Sequence, residues 1–522
     1  MYLTIQNQGT TKRAEFAPGK NLLELLRENG IHQSAVCGGN GTCGKCKIQV
    51  VQGNIIPSNA DLHTFTQKEL AQGMRLACKA VLTEDTTISM TSEEEMHFEV
   101  LGTTHALQQH VYDESRWYGI AIDIGTTTLA LSLVDLQDKC VVNTYTSINH
   151  QRVYGADVIS RIKASTEGKK EELQQLILQD LVKGIHELLK QPRIPSSRIS
   201  GIVISGNTTM QHLLMGYSCE TLGVYPFTPV TLSLKELTAG ELFAALRLPD
   251  HGFACIPVVL LPGASAFVGS DIVSGMYRYH FHDRDEIALL VDLGTNGEMA
   301  LGNKEKVMVT STAAGPAFEG GNIEWGIGSV HGAINSVKIC SDQKAVVTTI
   351  GNAPAAGICG TGVIETAAEL LGQELIDETG MLDEDFFDDG FPLAVTEKGE
   401  QILFTQKDVR EIQLAKSAVR AGLETLLLRY GVSYEDVSKV YLAGGFGFYL
   451  DVEKAVQIGL LPKALSARTE AIGNASLDGA IAYLLEENAA GHMTNIAEKA
   501  VEIPLSTDKD FNSLYVEHML FE

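Results

Sequence analysis

Residues 117–136 read W-Y-G-I-A-I-D-I-G-T-T-T-L-A-L-S-L-V-D-L. Two apolar runs flank a short polar turn, which is the pattern of a β-hairpin. Asp123 stands at the end of the first predicted strand. The turn residues are Gly125, Thr126, Thr127 and Thr128. Such a turn offers backbone N–H groups and hydroxyls to phosphate oxygens, and its glycine permits close approach.

A second copy of this hairpin occupies residues 288–302, A-L-L-V-D-L-G-T-N-G-E-M-A-L-G. Asp292, Gly294 and Thr295 repeat the D-x-G-T core, and Asn296 follows them. One such motif indicates little more than a turn, because Asp and Gly favour turns. Two copies, each between apolar strands, indicate an internal duplication. The two turns would face each other around a polyphosphate, with each aspartate holding Mg²⁺ directly or through water.

A third element is the apolar strand that ends in a glycine turn at residues 438–447, S-K-V-Y-L-A-G-G-F-G. A long amphipathic helix is predicted before it, over about residues 407–430. Gly444 and Gly445 would let backbone pack against a purine and its ribose, with Phe446 bounding the adenosine.

Two further polar residues have alternative interpretations. Glu298, two residues past the second turn, is a candidate to polarise an attacking water, or equally a solvated strand carboxylate. Asn207, in S-G-N-T-T-M, either lines the cleft or is an ordinary asparagine in a glycine turn.

The N-terminal part carries four cysteines in the pattern C-x5-C-x2-C-x31-C. They are Cys37, Cys43, Cys46 and Cys78. Structural zinc sites usually draw on two C-x2-4-C pairs, whereas one loop here supplies three sulfurs, as in C-x4-C-x2-C…C iron–sulfur proteins. The longer first gap resembles the adrenodoxin and putidaredoxin branch of the ferredoxins. We predict a 2Fe–2S cluster, with zinc as the alternative.

The same loop, C-G-G-N-G-T-C-G-K-C, also resembles a phosphate-binding loop, G-x-x-x-x-G-K-[ST]. Cys46 stands where that motif needs a hydroxyl for magnesium, and no long helix is predicted after Lys45. The glycines instead let the loop curl and point N–H groups at sulfur.

The predicted domains are a 2Fe–2S unit at 1–92, a linker at 93–116, and two lobes at 117–285 and 286–522. In the first unit we predict strands at 2–6, 47–51, 75–81 and 86–90 and a helix at 21–29. The other five cysteines are predicted to be buried apolar residues. They are Cys140, Cys219, Cys255, Cys340 and Cys359.

Composition narrows the class of protein. A chain of 522 residues is too long to fold around a single hydrophobic core, so several domains are expected. Its formal charge of −25 argues against nucleic-acid and anionic-membrane partners, which need a basic surface. The N-terminus lacks signal-peptide features, and no apolar run approaches the length of a membrane span. We therefore expect a cytoplasmic protein.

The two D-x-G-T hairpins and the glycine-ended strand resemble the superfamily of actin, sugar kinases and chaperone ATPases. The resemblance implies a multidomain chain of α+β and α/β class. A β-grasp ferredoxin-like domain comes first, and two ribonuclease-H-like lobes follow it, with ATP and Mg²⁺ between the lobes. An N-terminal 2Fe–2S domain fused to this ATPase fold resembles the reductive activators of corrinoid proteins. Further segments that resemble this family lie at 154–162, 205–210, 313–321 and 357–362.

The resemblance implies that ATP hydrolysis supports electron transfer from the cluster to an inactive Co(II) corrinoid, restoring Co(I). It implies two partners, a corrinoid protein of a methyltransferase system and a low-potential electron donor. The chain lacks the cobalamin-ligating pattern D-x-H-x-x-G. The oligomeric state stays open, with a homodimer as one alternative.

Three other functions are alternatives to this one. A small-metabolite kinase with a redox-sensing ferredoxin domain has the same fold. An activator of 2-hydroxyacyl-CoA dehydratases would lack a 2Fe–2S domain, so the clustered cysteines disfavour it. A plain ferredoxin on a scaffold would not depend on Asp123.

Overall fold

The computed structural model of the chain describes residues 1–7, 10–29, 31, 33, 41, 44, 46–90, 113, 115–246, 252–444 and 450–521. Four predicted site residues lie outside these ranges, as do positions 93–112 of the predicted linker. They are Cys37, Cys43, Gly445 and Phe446. None of the helices in the described ranges has both the length and the apolar character needed to cross a membrane.

The N-terminal unit is a small mixed sheet with a helix in its core. Its elements are β1 (Tyr2–Asn7), β2 (Thr10–Glu15), β3 (Lys20–Asn21), α1 (Leu22–Glu28), β4 (Lys47–Gln52), α2 (Asn59–Thr64), α3 (Gln67–Ala71), β5 (Met74–Leu76), β6 (Val81–Leu82) and β7 (Thr86–Met90). The main sheet has the order β2-β1-β7-β4-β5, with β1 and β7 parallel. Leu22 and Leu26 of α1 are buried in one apolar cluster with Ile5 and Ile48.

Two features of this unit differ from the sequence prediction. The strand predicted over 75–81 is interrupted after Leu76, because the N–H groups of Lys79 and Ala80 turn back to the Leu76 carbonyl. The short helices α2 and α3 were not predicted. Each begins at a capping box, at Ser58 and Thr66, and neither is long enough to display a helical apolar period.

The second unit is a six-stranded sheet with helices. Its elements are β8 (Tyr118–Ile124), β9 (Thr128–Asp135), β10 (Cys140–Ile148), α4 (Val158–Ala164), α5 (Lys170–Lys190), β11 (Ile199–Gly206), α6 (Thr208–Met215), β12 (Lys235–Thr238), α7 (Ala239–Leu242), β13 (Pro257–Leu260) and α8 (Ser270–Arg278). The strand order is β10-β9-β8-β11-β13-β12. Strand β8 forms the predicted hairpin with β9 and runs parallel to β11.

The third unit repeats this plan. Its strands are β14 (Ile287–Leu293), β15 (Gly297–Gly302), β16 (Val307–Thr312), β17 (Ala333–Ile339), β18 (Ala345–Thr349), β19 (Gly357–Ile358), β20 (Phe391–Val395), β21 (Gln401–Phe404), β22 (Val437–Ala443), β23 (Thr469–Gly473) and β24 (Ala500–Glu502). Its helices are α9 (Gly360–Gly372), α10 (Gln406–Tyr430), α11 (Val452–Gln457), α12 (Ala475–Leu485), α13 (Ala489–Lys499) and α14 (Phe511–Glu517).

The main sheet of this unit has the strand order β23-β22-β14-β15-β16-β24. As in the second unit, it contains an antiparallel hairpin, here β14 and β15, and a third antiparallel strand, β16, beside the hairpin. On the other side of the hairpin, β22 and β23 run parallel to β14. The shared plan agrees with an internal duplication, and the predicted fold class is confirmed.

Two helices cross between the two large sheets. Helix α12 follows β23 of the third unit but packs on β8, β9 and β11 of the second. Helix α8 packs on α12 and on β14 and β15. Their backbones approach closely, because a Cβ at Gly479 would lie 2.2 Å from the Ser274 carbonyl oxygen. Apolar side chains from both sheets share the core around these helices, among them Val203 and Leu290.

The prediction for the five isolated cysteines is only partly correct. Cys219 and Cys359 are buried. Cys255 is exposed, and Cys140 and Cys340 are partly exposed, so burial was wrongly predicted for these three. The reason is their position, because Cys255 lies in a loop, Cys140 begins an edge strand and Cys340 follows the end of β17.

Candidate functional site: a cysteine pair and a carboxylate cleft

Two of the four predicted ligand cysteines lie within the described residues and face each other. Cys46 directly precedes β4, and Cys78 lies in the turn after β5. Their Sγ atoms are 3.3 Å apart and both residues are buried. That separation is too long for a disulfide bond, and it is short enough for both sulfurs to bind one metal atom at about 2.3 Å. The pair therefore suits a thiolate-bound metal centre.

The backbone around this pair supports the same geometry. The Ala77 N–H donates to the Cys46 carbonyl at 2.8 Å, and Asn21 Nδ2 donates to the Cys78 carbonyl at 2.9 Å. Gly41 has a φ of 81°, and a Cβ there would lie 2.6 Å from Lys79 Cε. Strand β4 follows the loop directly, where a phosphate loop would continue into a helix.

The first D-x-G-T turn is held by side chains from three other segments. The Gly125 N–H donates to the Thr128 carbonyl at 3.0 Å, which closes the turn. Asn149 Nδ2 donates to the Gly125 carbonyl at 2.9 Å. Asn207 Nδ2 donates to Thr126 Oγ1 at 3.0 Å, while Asn207 Oδ1 caps helix α6. Asn207 therefore contacts the turn and also has the ordinary capping role.

Arg161 lies behind the same turn and is fully buried. Its guanidinium donates to the carbonyls of Gly155 and Thr126, and it contacts Met210 Sδ at 3.1 Å. Burial lowers the pKa of Arg161 to about 9. The side chain thus fixes the carbonyl of a turn residue and places positive charge behind it.

The second D-x-G-T turn is closed by a similar bond from its glycine, but to an acceptor one residue nearer along the chain. The Gly294 N–H donates to the Asn296 carbonyl at 2.9 Å. Among the described residues, a Cβ placed at Gly294 would lie 3.7 Å from the Asn296 carbonyl oxygen, which is an ordinary van der Waals distance. Asp292 pairs across the hairpin with Glu298, which puts two carboxylates side by side. Gly444, at the end of the neighbouring β22, has a φ of 131°, and a Cβ there would lie 2.3 Å from the Leu293 carbonyl oxygen.

Two carboxylates join the lobes across the cleft. Glu319 Oε2 accepts from Thr295 Oγ1 at 2.6 Å and from Thr127 Oγ1 at 3.4 Å. Asp123 accepts from Asn474 Nδ2 at 2.8 Å and from Ser476 Oγ at 2.6 Å. Each carboxylate thereby links a first-lobe turn to a segment of the second lobe.

Five acidic side chains in this cleft have raised pKa values. They are Asp123, Asp271, Asp292, Glu298 and Glu319. Burial is the largest cause for all five. For Asp271 and Asp292, repulsion by neighbouring carboxylates adds to burial, and their pKa values rise to about 7 and about 8. Burial, with repulsion from Asp271 and Asp292, raises the pKa of Glu298 well above its ordinary value.

This donor set suits a hard divalent cation beside phosphate. Carboxylate oxygens are the ligands that Mg²⁺ takes in proteins, and a cation would offset their mutual repulsion. The two turns supply N–H and hydroxyl donors around the same space, as phosphate binding requires. The described part of the cleft therefore fits a magnesium–polyphosphate ligand.

The structure brings together the predicted residues of both turns and adds residues that the sequence analysis missed. The additions are Asp271, Glu319, Asn474, Ser476 and Arg161. Glu319 and Arg161 lie in segments already noted for their family resemblance, 313–321 and 154–162, which was the available signal. Asp271, Asn474 and Ser476 sit at helix starts, where polar residues are ordinary.

Comparison with known proteins covers the whole chain. Three family models match it: a 2Fe-2S iron-sulfur cluster binding domain at residues 5–83, the RACo middle region at 118–284, and the C-terminal ASKHA domain of RACo at 286–522. The chain is 34% identical over 429 residues to corrinoid activation enzyme RamQ of Eubacterium limosum, an alignment that covers 77% of this chain and 70% of that protein.

Two other proteins extend the likeness. The chain is 28% identical to the [Co(II) methylated amine-specific corrinoid protein] reductase of Methanosarcina barkeri, over 76% of each chain. A solved structure of a reductive activator for corrinoid, iron-sulfur protein matches with a TM-score of 0.71 and 29% identity, over 99% of this chain and 98% of that one. With its cysteine pair, its duplicated lobes and these relatives, the chain belongs to the family of reductive activators of corrinoid proteins.

Proposed function

We propose that this protein is an ATP-dependent reductive activator, which transfers an electron to the inactive Co(II) corrinoid of a partner protein in a methyltransferase system and so restores Co(I). The observation that carries the proposal is the presence, in one chain, of the buried Cys46–Cys78 pair and of the carboxylate cleft. The relatives are named for the activation or reduction of corrinoid proteins.

The cysteines and the cleft have separate tasks in this proposal. Cys37, Cys43, Cys46 and Cys78 would hold a 2Fe–2S cluster, which when loaded by a low-potential donor would supply one electron at a time. Asp123 and Asp292 organise magnesium, and the two turns bind phosphates. Glu298 or its neighbour Asp271 orients the attacking water, because both lie beside Asp292 and have raised pKa values.

The bridges between the lobes give ATP a means of acting on the electron transfer. Reduction of Co(II) is uphill from an ordinary ferredoxin, and each 59 mV or so of unfavourable potential lowers the equilibrium constant about tenfold. ATP changes this balance only by favouring another state of the complex. Because Glu319 and Asp123 contact both lobes, a nucleotide between them would favour the closed cleft. Closure then favours a complex in which the Co(II) coordination is altered and its potential raised.

The test is to mix the anaerobically reduced, cluster-loaded protein with a Co(II) corrinoid protein and MgATP, and to follow the visible spectrum. We expect a Co(I) band that needs both ATP and the reduced cluster. A panel of corrinoid proteins that gives no Co(I), together with ADP release that depends on a small metabolite, would instead support the metabolite kinase. Full multiple-turnover activation with a non-hydrolysable ATP analogue would contradict the role of hydrolysis.

A further inference from the structure

A cluster of histidines lies where α8 ends, one helix length away from the carboxylate cleft. Helix α8 begins beside Asp271 and spans nine residues, or about 13 Å. After it come His280, His282 and Asp283, each of which offers one ligand atom within 4.8 Å of the other two. His492 of α13 is adjacent to this group of three, because its ring lies edge-on to His282 with the two centroids 4.6 Å apart.

The surrounding structure holds these side chains in place. The Phe281 N–H donates to the Met276 carbonyl at 3.0 Å, and the Phe281 side chain is buried. The ring of Tyr277 stacks on His282 with centroids 5.0 Å apart, and its hydroxyl donates to Glu486 at 2.6 Å. The loop is therefore fastened to α8 on one side and to the α12–α13 junction on the other.

One ring nitrogen of the cluster is shielded from solvent and has no partner among the described residues. His282 Nδ1 is inaccessible to solvent and has no hydrogen-bond partner among the residues that the structure describes. His280 Nδ1 is 3.8 Å from Asp283 Oδ1, which is too long for a hydrogen bond. A shielded ring nitrogen without a partner costs free energy, and a metal ion would satisfy it.

The chemistry of the donors selects the kind of ion. Imidazole nitrogens with one carboxylate suit Zn²⁺ and its transition-metal neighbours, whereas Mg²⁺ and Ca²⁺ prefer oxygen. We propose that His280, His282, Asp283 and His492 bind a divalent transition-metal ion of the Zn²⁺ class, which ties the end of α8 to α13. Because α8 crosses between the lobes, the ion stabilises the junction on which the two lobes meet. This inference is independent of the proposed corrinoid activation.

The experiment is calorimetric titration of Zn²⁺ into the cluster-loaded protein in excess Mg²⁺, with the cluster absorbance followed throughout. We expect one Zn²⁺ per chain and a higher midpoint of thermal unfolding. His282→Ala and His492→Gln should each weaken binding about tenfold or more and remove the thermal shift. His63→Ala, an exposed histidine of α2, should change neither.

Using both His282→Ala and His492→Gln allows the proposal to be tested even if one of these variants fails to fold. His492 is exposed on α13, so His492→Gln should fold normally even if His282→Ala does not. Wild-type protein that binds no Zn²⁺ would overturn the proposal. Zn²⁺ binding that is unchanged in both variants, or that bleaches the cluster instead, would overturn it as well.

Discussion

At the scale of single residues, the Asp292 carboxylate is expected to lower stability while being needed for function. Burial raises its pKa to about 8, and the negative charges of Asp271, Asp123 and Glu319 add to that rise. Replacing Asp292 by Asn should lower ATP turnover about 100-fold or more, as for the loss of one charged group in a polar active site. The same change should not lower the midpoint of thermal unfolding in Mg²⁺-free buffer, because it relieves repulsion.

Asp342→Asn is a matched control, because Asp342 is an exposed aspartate outside the cleft. It should leave turnover unchanged. Destabilisation by Asp292→Asn with turnover intact would contradict the assignment.

The raised pKa values also predict how stability changes with pH. Asp271 and Asp292 titrate near 7 and 8 in the folded protein but near 3.9 when unfolded. Between these values the folded state binds more protons than the unfolded state, so stability falls as pH rises from about 4 to about 8. We expect the thermal midpoint of the Mg²⁺-free protein to fall across this window.

Saturating Mg²⁺ should reduce that slope, since a bound cation keeps the carboxylates ionised in the folded state. Asp292→Asn should reduce it too. A slope that neither change affects would locate the titrating groups elsewhere.

At the scale of elements, the first D-x-G-T turn depends on a side chain from helix α4. Arg161→Met should leave the carbonyls of Gly155 and Thr126 without their donor and destabilise the protein by about 2–4 kcal/mol. The KM for ATP should rise because Thr126 loses its support. Urea denaturation and steady-state kinetics measure both effects, and the exposed Arg278→Met is the control. An unchanged KM would show that the turn holds its shape without Arg161.

The bounds of an element were predictable from sequence where apolar residues recur with a helical period over many residues, or where a motif is repeated. Helix α10 begins and ends within one residue of its prediction, and both hairpins form where the D-x-G-T motifs stand. The turn at residues 77–80 was missed, because it lies inside a run that reads as one strand. That turn is what brings Cys78 to Cys46.

At the scale of the whole molecule, a mutation in the cysteine unit should abolish the function of that unit and leave nucleotide binding in the cleft intact. Cys78→Ser removes one predicted cluster ligand, so the 2Fe–2S absorbance and Co(I) formation should both be lost. Nucleotide binding should persist, since the cleft lies on other units. Visible spectroscopy and nucleotide titration test this prediction, with the exposed Cys255→Ser as the control. Co(I) formation by Cys78→Ser would exclude the cluster as the source of the electron.

The bridge through Glu319 is a second property of the whole molecule. Glu319→Ala removes a contact to Thr127 in one lobe and to Thr295 in the other. Amide hydrogen exchange should therefore increase in both turns together, and ATP-dependent Co(I) formation should decrease. The exposed Glu324→Ala should alter neither. Faster exchange in only one turn would mean that Glu319 supports that turn without linking the lobes.

The sequence by itself determined the fold class and the family, and it predicted the chemistry of each part. Cysteine spacing, the two D-x-G-T turns and the glycine-ended strand are local patterns, in which a few neighbouring residues fix both the backbone turn and the functional groups. These patterns sufficed for the fold class and the family. The exact domain boundaries and the individual ligand roles stay predictions.

Only the tertiary structure decided how these parts meet. Asp123 and its partner Asn474 are 351 positions apart, and Thr127 and Glu319 are 192 apart. No local pattern marks such pairs, because a capping asparagine or a buried glutamate looks ordinary until two lobes fold against each other. Packing of α8 and α12 between the sheets brings Asp271 and Ser476 to the cleft, and the resulting burial gives its carboxylates their raised pKa values.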